Sequence, residues 1–131
     1  MNYKFKEKLF FFCLPLLLFG CGDYSKDLGG NYRFVRTNSD NHVIIKKLSE
    51  FDNEIKVHSN VQNYAYDDVY ILGVRVQSKD KEAQYADAMS QGSGYFVLNK
   101  NTGEIMTGLS KSNFDQFVRK HGLSKLAGEI K

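Results

Sequence analysis

The nine residues VYILGVRVQ, positions 69–77, constrain the fold more than any other part of this 131-residue sequence. They are rich in β-branched residues, and successive side chains of a strand point to opposite faces of a sheet. One face of this strand carries Tyr70, Leu72, Val74 and Val76, and the other carries Val69, Ile71 and Gly73. Because both faces are largely apolar, the stretch predicts a central strand of its sheet.

A β-hairpin is predicted before this strand. The segments 31–37 (NYRFVRT) and 42–48 (HVIIKKL) have the composition of strands, and the turn-forming residues NSDN join them. After the polar residues 49–54 (SEFDNE), residues 55–66 (IKVHSNVQNYAY) predict one or two further short strands.

A second hairpin is predicted after the central strand, over residues 93–108 (SGYFVLNKNTGEIMTG). Its turn runs from Asn99 to Gly103, and the glycine is free to adopt a positive φ. Residues 78–92, between the central strand and this hairpin, are rich in charge and alanine. They predict a long loop or a short surface helix.

The C-terminal part predicts a helix that packs on the sheet. Ser112 is placed as its N-cap, with Asp115 three residues later in a variant of the capping box, and Gly122 provides a stop. The apolar face of this helix carries Phe114, Phe117 and Val118. The predicted fold class is α+β, an antiparallel sheet of five to seven strands with a C-terminal helix packed on it.

The first twenty residues have the organisation of a secretory signal peptide. Lys4, Lys6 and Lys8 precede an apolar segment that runs from Leu9 to Phe19. A helix of this length reaches roughly 17 Å, whereas the hydrocarbon core of a membrane is about 30 Å thick. The segment therefore predicts a cleaved signal peptide and not a spanning helix.

The end of this segment, Leu18-Phe19-Gly20-Cys21, resembles the lipobox of bacterial lipoproteins, with leucine at −3, a small residue at −1 and cysteine at +1. The resemblance implies that Cys21 is lipidated and becomes the first residue of the mature chain. The alternative is an ordinary secreted protein whose cysteine follows the signal by chance. The expected domains are a signal peptide (1–20), the lipidated cysteine with a short tether (21–30) and a single α+β domain (31–131).

Lipidation of Cys21 would make the membrane the first partner of this protein. One acyl chain gives only marginal binding, and two or three chains make release negligible. Asp at +2 commonly signals inner-membrane retention, but Gly22 occupies that position. The resemblance therefore implies the periplasmic leaflet of the outer membrane in a Gram-negative host, and the outer face of the plasma membrane in a Gram-positive host.

The cysteine and charge counts exclude several functional classes. Of the two cysteines, Cys13 lies in the predicted signal and Cys21 is the predicted lipidation site, which leaves no thiol for catalysis, a disulfide or a thiolate metal site. The net charge is +3, and the first twenty residues account for two of these charges. Nucleic-acid binding requires a concentrated basic patch, so we expect no nucleic-acid partner. The glycines of Gly92-Ser93-Gly94 lack the rest of a phosphate-binding fingerprint, and we expect no cofactor.

Histidines and carboxylates do not form a recognisable active-site motif. His42, His58 and His121 lack the spacing of a metal site, and His121 lies at the predicted helix C-terminus, where the helix dipole favours a cation. Asp67 and Asp68 precede the central strand, where turn carboxylates are ordinary, and a calcium or acid–base function is the less favoured alternative. We expect no metal site and no catalytic residue.

Tyrosines are the most suggestive residues for binding. Tyr64, Tyr66 and Tyr70 lie before and within the central strand, and Tyr85 lies in the segment that follows it. The simpler interpretation is half-buried sheet residues. The functional alternative is an exposed patch for a protein partner or a ligand, since tyrosine is enriched at contact hot spots.

The stretches CGDY, GGNYRFVRTNS, YILGVR and GYFVLNKNTGEIMTGLS, followed by a helix, resemble a group of small uncharacterised bacterial lipoproteins. The resemblance implies the anchor and the fold but no catalytic residues. We therefore favour a membrane-tethered interaction module that is not an enzyme: an inhibitor, an immunity-type protein or an accessory of an envelope assembly. The alternatives are a lipoprotein that binds a small molecule or a glycan and, less favoured, a small hydrolase that uses His42 or His58 with a serine.

Overall fold

The computed structural model describes residues 24–38, 40–77 and 86–130. Within these ranges the chain forms two four-stranded antiparallel sheets and three helices. The first sheet contains β1 (Tyr24–Gly29), β2 (Tyr32–Asn38), β3 (Asn41–Lys47) and β4 (Asn53–Val57), in that order. The second sheet contains β5 (Val61–Tyr66), β6 (Tyr70–Arg75), β7 (Gly94–Asn99) and β8 (Ile105–Leu109). The helices are α1 (Ala86–Gln91), α2 (Lys111–Lys120) and α3 (Ser124–Ala127).

The α+β class and the C-terminal helix are confirmed, whereas the prediction of one sheet with five to seven strands is wrong. Residues 24–29, predicted as part of the tether 21–30, form β1 and pair with β2. Only Leu28 of this strand is buried, so its sequence carries almost no apolar alternation. The predicted single sheet is divided into two between Val57 and Val61, where the chain leaves the first sheet and begins the second.

Two apolar cores lie on opposite faces of the second sheet, and β6 contributes to both. Ile71 belongs to the core between the sheets and Leu72 to the core beneath the helices. This explains why the segment 69–77 is apolar on both faces, and the prediction of a central strand is confirmed because β6 pairs with both β5 and β7. The inter-sheet core contains Leu28, Tyr32, Phe34, Ile44, Val57, Val61, Ile71, Phe96 and Leu98. The helix core contains Ala65, Leu72, Val97, Phe114, Val118, Leu123 and Leu126.

Helix α2 covers the second sheet as predicted, with Phe114 and Val118 buried, but it starts earlier than expected. Its N-cap is Ser110, whose hydroxyl accepts a hydrogen bond from the backbone N–H of Asn113 at 3.1 Å. Ser112 lies inside the first turn, so the predicted cap is wrong. Asp115 makes an ion pair with Lys111 at 3.1 Å instead of completing a capping box.

The two predicted hairpins are β2–β3 and β7–β8, and Gly103 in the second turn has φ 74°. Residues 55–66 contribute to two strands, β4 and β5. In the segment 78–92, the described part contains the short helix α1. No helix within the described ranges has the length and apolar composition required to cross a membrane.

Candidate functional site

The predicted tyrosine patch does not form a single surface. Tyr64 and Tyr66 pack against the inter-sheet core, whereas Tyr70 packs against the helix core on the opposite face of the second sheet. Tyr70 makes edge-on contacts with Phe117 and His121 at centroid distances of 6.0 and 6.3 Å. All three tyrosines are half-buried, as the simpler interpretation predicted. Tyr85 and the predicted lipidation site Cys21 lie outside the described residues.

Tyr64 and Tyr66 belong instead to an aromatic cluster with Tyr24, Phe34 and His42. Phe34 is its centre: its ring stacks on Tyr64 at 4.7 Å and makes edge-on contacts with Tyr24 at 6.3 Å and His42 at 5.8 Å. Tyr66 lies 6.4 Å from Tyr64. Burial raises the pKa of the Tyr64 phenol, and the nearby phenols of Tyr24 and Tyr66 raise it further, so Tyr64 remains neutral at physiological pH.

Two lysines border the aromatic cluster at Tyr66. The Nζ atoms of Lys26 and Lys100 lie 5.2 and 5.8 Å from the centroid of its ring. Lys100 also donates a hydrogen bond to the carbonyl oxygen of Leu28 at 2.6 Å, which joins the β7–β8 turn to β1. The cluster thus combines positive charge with aromatic rings that pack against one another and against the inter-sheet core.

Arg75 is the largest polar group in the interior, and it was not among the residues predicted from the sequence. Its side chain is 1 % exposed, and burial lowers the pKa of its guanidinium. All its nitrogens donate hydrogen bonds. The acceptors are the carbonyl oxygens of His58 (2.7 Å), Ser59 (2.9 Å), Ala88 (3.0 Å) and Gly92 (2.6 Å) and the side chain of Gln77 (3.2 Å).

These contacts make Arg75 a structural residue. It holds α1 and the β4–β5 connection to β6, and its donors are already occupied, so that none remains for a ligand. The available signal in the sequence was a single arginine inside an otherwise apolar strand, because a buried arginine must find acceptors for its donors.

Within the part of the chain that the structure describes, His42 and His58 do not pair with a serine as a catalytic base would. Among hydrogen bonds between described residues, none joins a serine hydroxyl to the imidazole of His42 or His58. Burial lowers the pKa of His58, as does the positive charge of Arg75, while Asp87 opposes the shift. In residues 24–38, 40–77 and 86–130, no three His, Cys, Asp or Glu side chains lie close enough together to hold a metal ion. Asp67 accepts hydrogen bonds from the backbone N–H groups of Val69 and Tyr70 at the start of β6, as a turn residue does.

The β3–β4 hairpin carries three exposed apolar side chains, Leu48 and Phe51 at its turn and Ile55 in β4, and we call these three residues the hairpin tip. Phe51 is 92 % exposed, Leu48 53 % and Ile55 45 %. The turn itself is closed by hydrogen bonds from the backbone N–H groups of Leu48 and Ser49 to the carbonyl of Asp52, at 2.9 and 3.1 Å. Phe51 was not predicted as a site residue, although an aromatic residue in the middle of a polar turn was an available signal.

A shallow cleft of about 360 Å³ lies beside α2 and α3. Of the charged residues that line it, Lys111 and Asp115 pair with each other, and its rings Tyr95 and Phe114 stack at 4.5 Å. Among the described residues, Arg119 is the charged group of the cleft that has no ion pair, and one cation does not by itself form a binding site.

The amino-acid sequence matches a protein family over residues 29–126. The family is described as a protein of unknown function (DUF3997). The chain belongs to this family. The DUF3997 match runs from the last residue of β1 into α3, so it spans both sheets and α2. No curated protein and no solved structure matches the chain.

Proposed function

We propose that this protein is a lipid-anchored envelope protein that works as a small binding module and contacts a protein partner through the hairpin tip. The partner would be the target of an inhibitor or immunity-type protein, or a component of an envelope assembly. Catalysis is not part of the proposal. The anchor is Cys21, on the basis of the lipobox resemblance.

The exposure of Phe51 is the observation that carries this proposal. Burying apolar surface contributes about 25 cal/mol per Å², and an almost fully exposed phenylalanine contributes little of this to the domain's own stability. Leu48 and Ile55 are two further exposed apolar residues of the same hairpin. Aromatic residues contribute much of the free energy of protein–protein contacts, so a phenylalanine exposed at the end of a hairpin favours a contact surface.

The location of the hairpin tip also favours contact with a partner. The backbone N–H of Lys47 donates to the carbonyl of Asn31 at 2.8 Å, so the β3–β4 turn lies beyond the β1–β2 turn. Tyr24 is at the other end of β1, about 17 Å from the β1–β2 turn, because a β-strand rises about 3.4 Å per residue. The hairpin tip is therefore remote from the end of the domain that follows Cys21.

Site-specific photo-crosslinking in the native host tests the proposal. The photoreactive phenylalanine analogue p-benzoylphenylalanine replaces Phe51 in the full-length lipoprotein, and Met106 is the matched control. Met106 is an exposed apolar residue, 38 % accessible, on the edge strand β8 of the other sheet. We expect a discrete crosslinked protein from position 51 and not from position 106, and its loss in a Leu48→Ser background.

Two outcomes would contradict the proposal. One is the absence of a crosslinked protein from position 51 in a correctly localised, folded lipoprotein. The other is an identical set of products from both positions, since this would report crowding and not a binding surface. Mass spectrometry of the purified protein separately tests whether Cys21 carries acyl chains.

The alternative of a glycan-binding or small-molecule-binding lipoprotein has less support. It required a concave aromatic site near Tyr64, Tyr66 and Tyr70, and these rings lie on opposite faces of the second sheet and pack against its two cores. We therefore place the binding surface at the hairpin tip and not at the tyrosines.

A further inference from the structure

The start of β1 limits how far the domain can move from a lipidated Cys21. β1 begins at Tyr24, three residues after Cys21. An extended chain spans at most about 3.6 Å per residue, so these residues reach roughly 11 Å. The tether predicted from the sequence, up to Gly30, would have allowed about three times this distance. An acylated Cys21 would therefore hold the Tyr24 end of the first sheet at the membrane surface.

The side chains at this end suit a membrane–water interface. Tyr24 is 51 % exposed and pairs in register with Arg36, which is also exposed. Lys26, two residues along the same face of β1, is exposed as well. Tyrosine is favoured at the level of lipid headgroups, and lysine and arginine are attracted by anionic lipids. Two acidic residues oppose this attraction: Asp40 lies in the β2–β3 turn, and Asp23 immediately precedes Tyr24 in the sequence.

We propose that Tyr24, Lys26 and Arg36 form a membrane-contact surface that lies on anionic phospholipid headgroups, with the hairpin tip directed away from the bilayer. This inference rests on the proposed anchoring through Cys21. It goes further than anchoring, because it assigns one orientation of the domain and the residues that fix it. A domain held only by its acyl chains would keep the Tyr24 end near the bilayer but would have no preferred face toward the lipid.

The absence of tryptophan from the sequence makes this orientation measurable. The variants Tyr24→Trp and Phe51→Trp each carry a single fluorophore, at opposite ends of the first sheet and in exposed positions. Each mature lipoprotein is reconstituted into vesicles of phosphatidylethanolamine and phosphatidylglycerol that are brominated near the carbonyl end of their acyl chains. We expect the Tyr24→Trp protein to lose emission relative to unbrominated vesicles and to shift to shorter wavelength. The Phe51→Trp protein should show neither change.

A charge-reversal pair tests the assignment of Lys26 and Arg36. In the Tyr24→Trp protein, Lys26→Glu with Arg36→Glu should reduce the quenching, and the effect should disappear in vesicles that contain only zwitterionic lipid. Lys120→Glu with Lys125→Glu, at exposed positions of α2 and α3, changes the net charge by the same amount, so this double variant is the matched control and should leave the quenching unchanged. Equal quenching in the charge-reversed and control proteins would overturn the assignment of these two residues.

The failures of the two proposals are distinguishable in the same sample. If mass spectrometry shows an acylated Cys21 and the Tyr24→Trp protein is quenched no more than the Phe51→Trp protein, the orientation is wrong and the anchor stands. If Cys21 carries no acyl chain, the proposed anchored function fails and the orientation fails with it. Quenching in both variants would also overturn the orientation, because the hairpin tip would then lie on the bilayer.

Discussion

Replacing Arg75 with methionine should destabilise the domain more than any change to a surface arginine. The substitution keeps an unbranched apolar stem but removes the donors that satisfy four backbone carbonyls. The hydrogen bonds to Ser59 and Ala88 are buried, so these two carbonyls would lose their partners without access to water. A buried polar group without a partner costs about 1–3 kcal/mol, which gives a loss of roughly 4 kcal/mol for the two.

This loss is large compared with the stability of a small domain, which is about 5–15 kcal/mol. Urea unfolding followed by far-UV circular dichroism measures it. With an m-value of about 1.5 kcal/mol per molar urea, the midpoint should fall by roughly 2–3 M. The unfolding midpoint of Arg75→Lys should lie between those of Arg75→Met and the wild type, because an ammonium group supplies three donors without the planar geometry of the guanidinium.

Arg33→Met is the control for the loss of an arginine. Arg33 donates a single exposed side-chain hydrogen bond, from Nε to the hydroxyl of Ser25 at 2.9 Å. Its replacement should change stability by no more than about 0.5 kcal/mol. If Arg75→Met lowers the unfolding midpoint no further than Arg33→Met does, the structural function assigned to Arg75 is wrong.

Two further predictions concern pH and helix capping. Burial and Arg75 lower the folded-state pKa of His58 below the unfolded value of 6.5. The free energy of unfolding should therefore keep its full value above this pH and should decrease as the pH falls from 6.5 toward the folded-state pKa. Urea unfolding at about pH 7.5 and about 5.5 should therefore show a smaller decline for His58→Asn than for the wild type, and equal declines would contradict this reasoning. Ser110→Ala should lower the free energy of unfolding by about 1 kcal/mol through loss of the α2 N-cap, whereas Ser112→Ala should change it by less than about 0.5 kcal/mol. Thermal unfolding measures both variants, and a larger loss for Ser112→Ala would mean that Ser112 is the N-cap.

Elements with a local signal follow from the amino-acid sequence alone. The β2–β3 and β7–β8 hairpins follow from alternating apolar residues on either side of turn-forming residues, and Gly103 provides the positive φ that its turn requires. The apolar face of α2 and the two apolar faces of the segment 69–77 are properties of periodicity alone, and both were confirmed. These features are readable because the residues that specify each one lie close together in the chain.

The way the elements combine depends on tertiary contacts. Alternation shows which side chains of a strand share a face but does not show which strand lies beside it, so the division into two sheets was not predictable from the pattern. β1 is specified by its pairing with β2 and by one buried residue, Leu28, and its composition resembles a polar linker.

The same limit explains the outcome for the candidate sites. Tyr70 is close to Tyr66 in sequence, but the intervening turn and the pleat place them in different cores. The exposure of Phe51 and the burial of Arg75 reverse what residue type alone suggests. Both depend on what surrounds the side chain in space, and those surroundings come from distant parts of the chain.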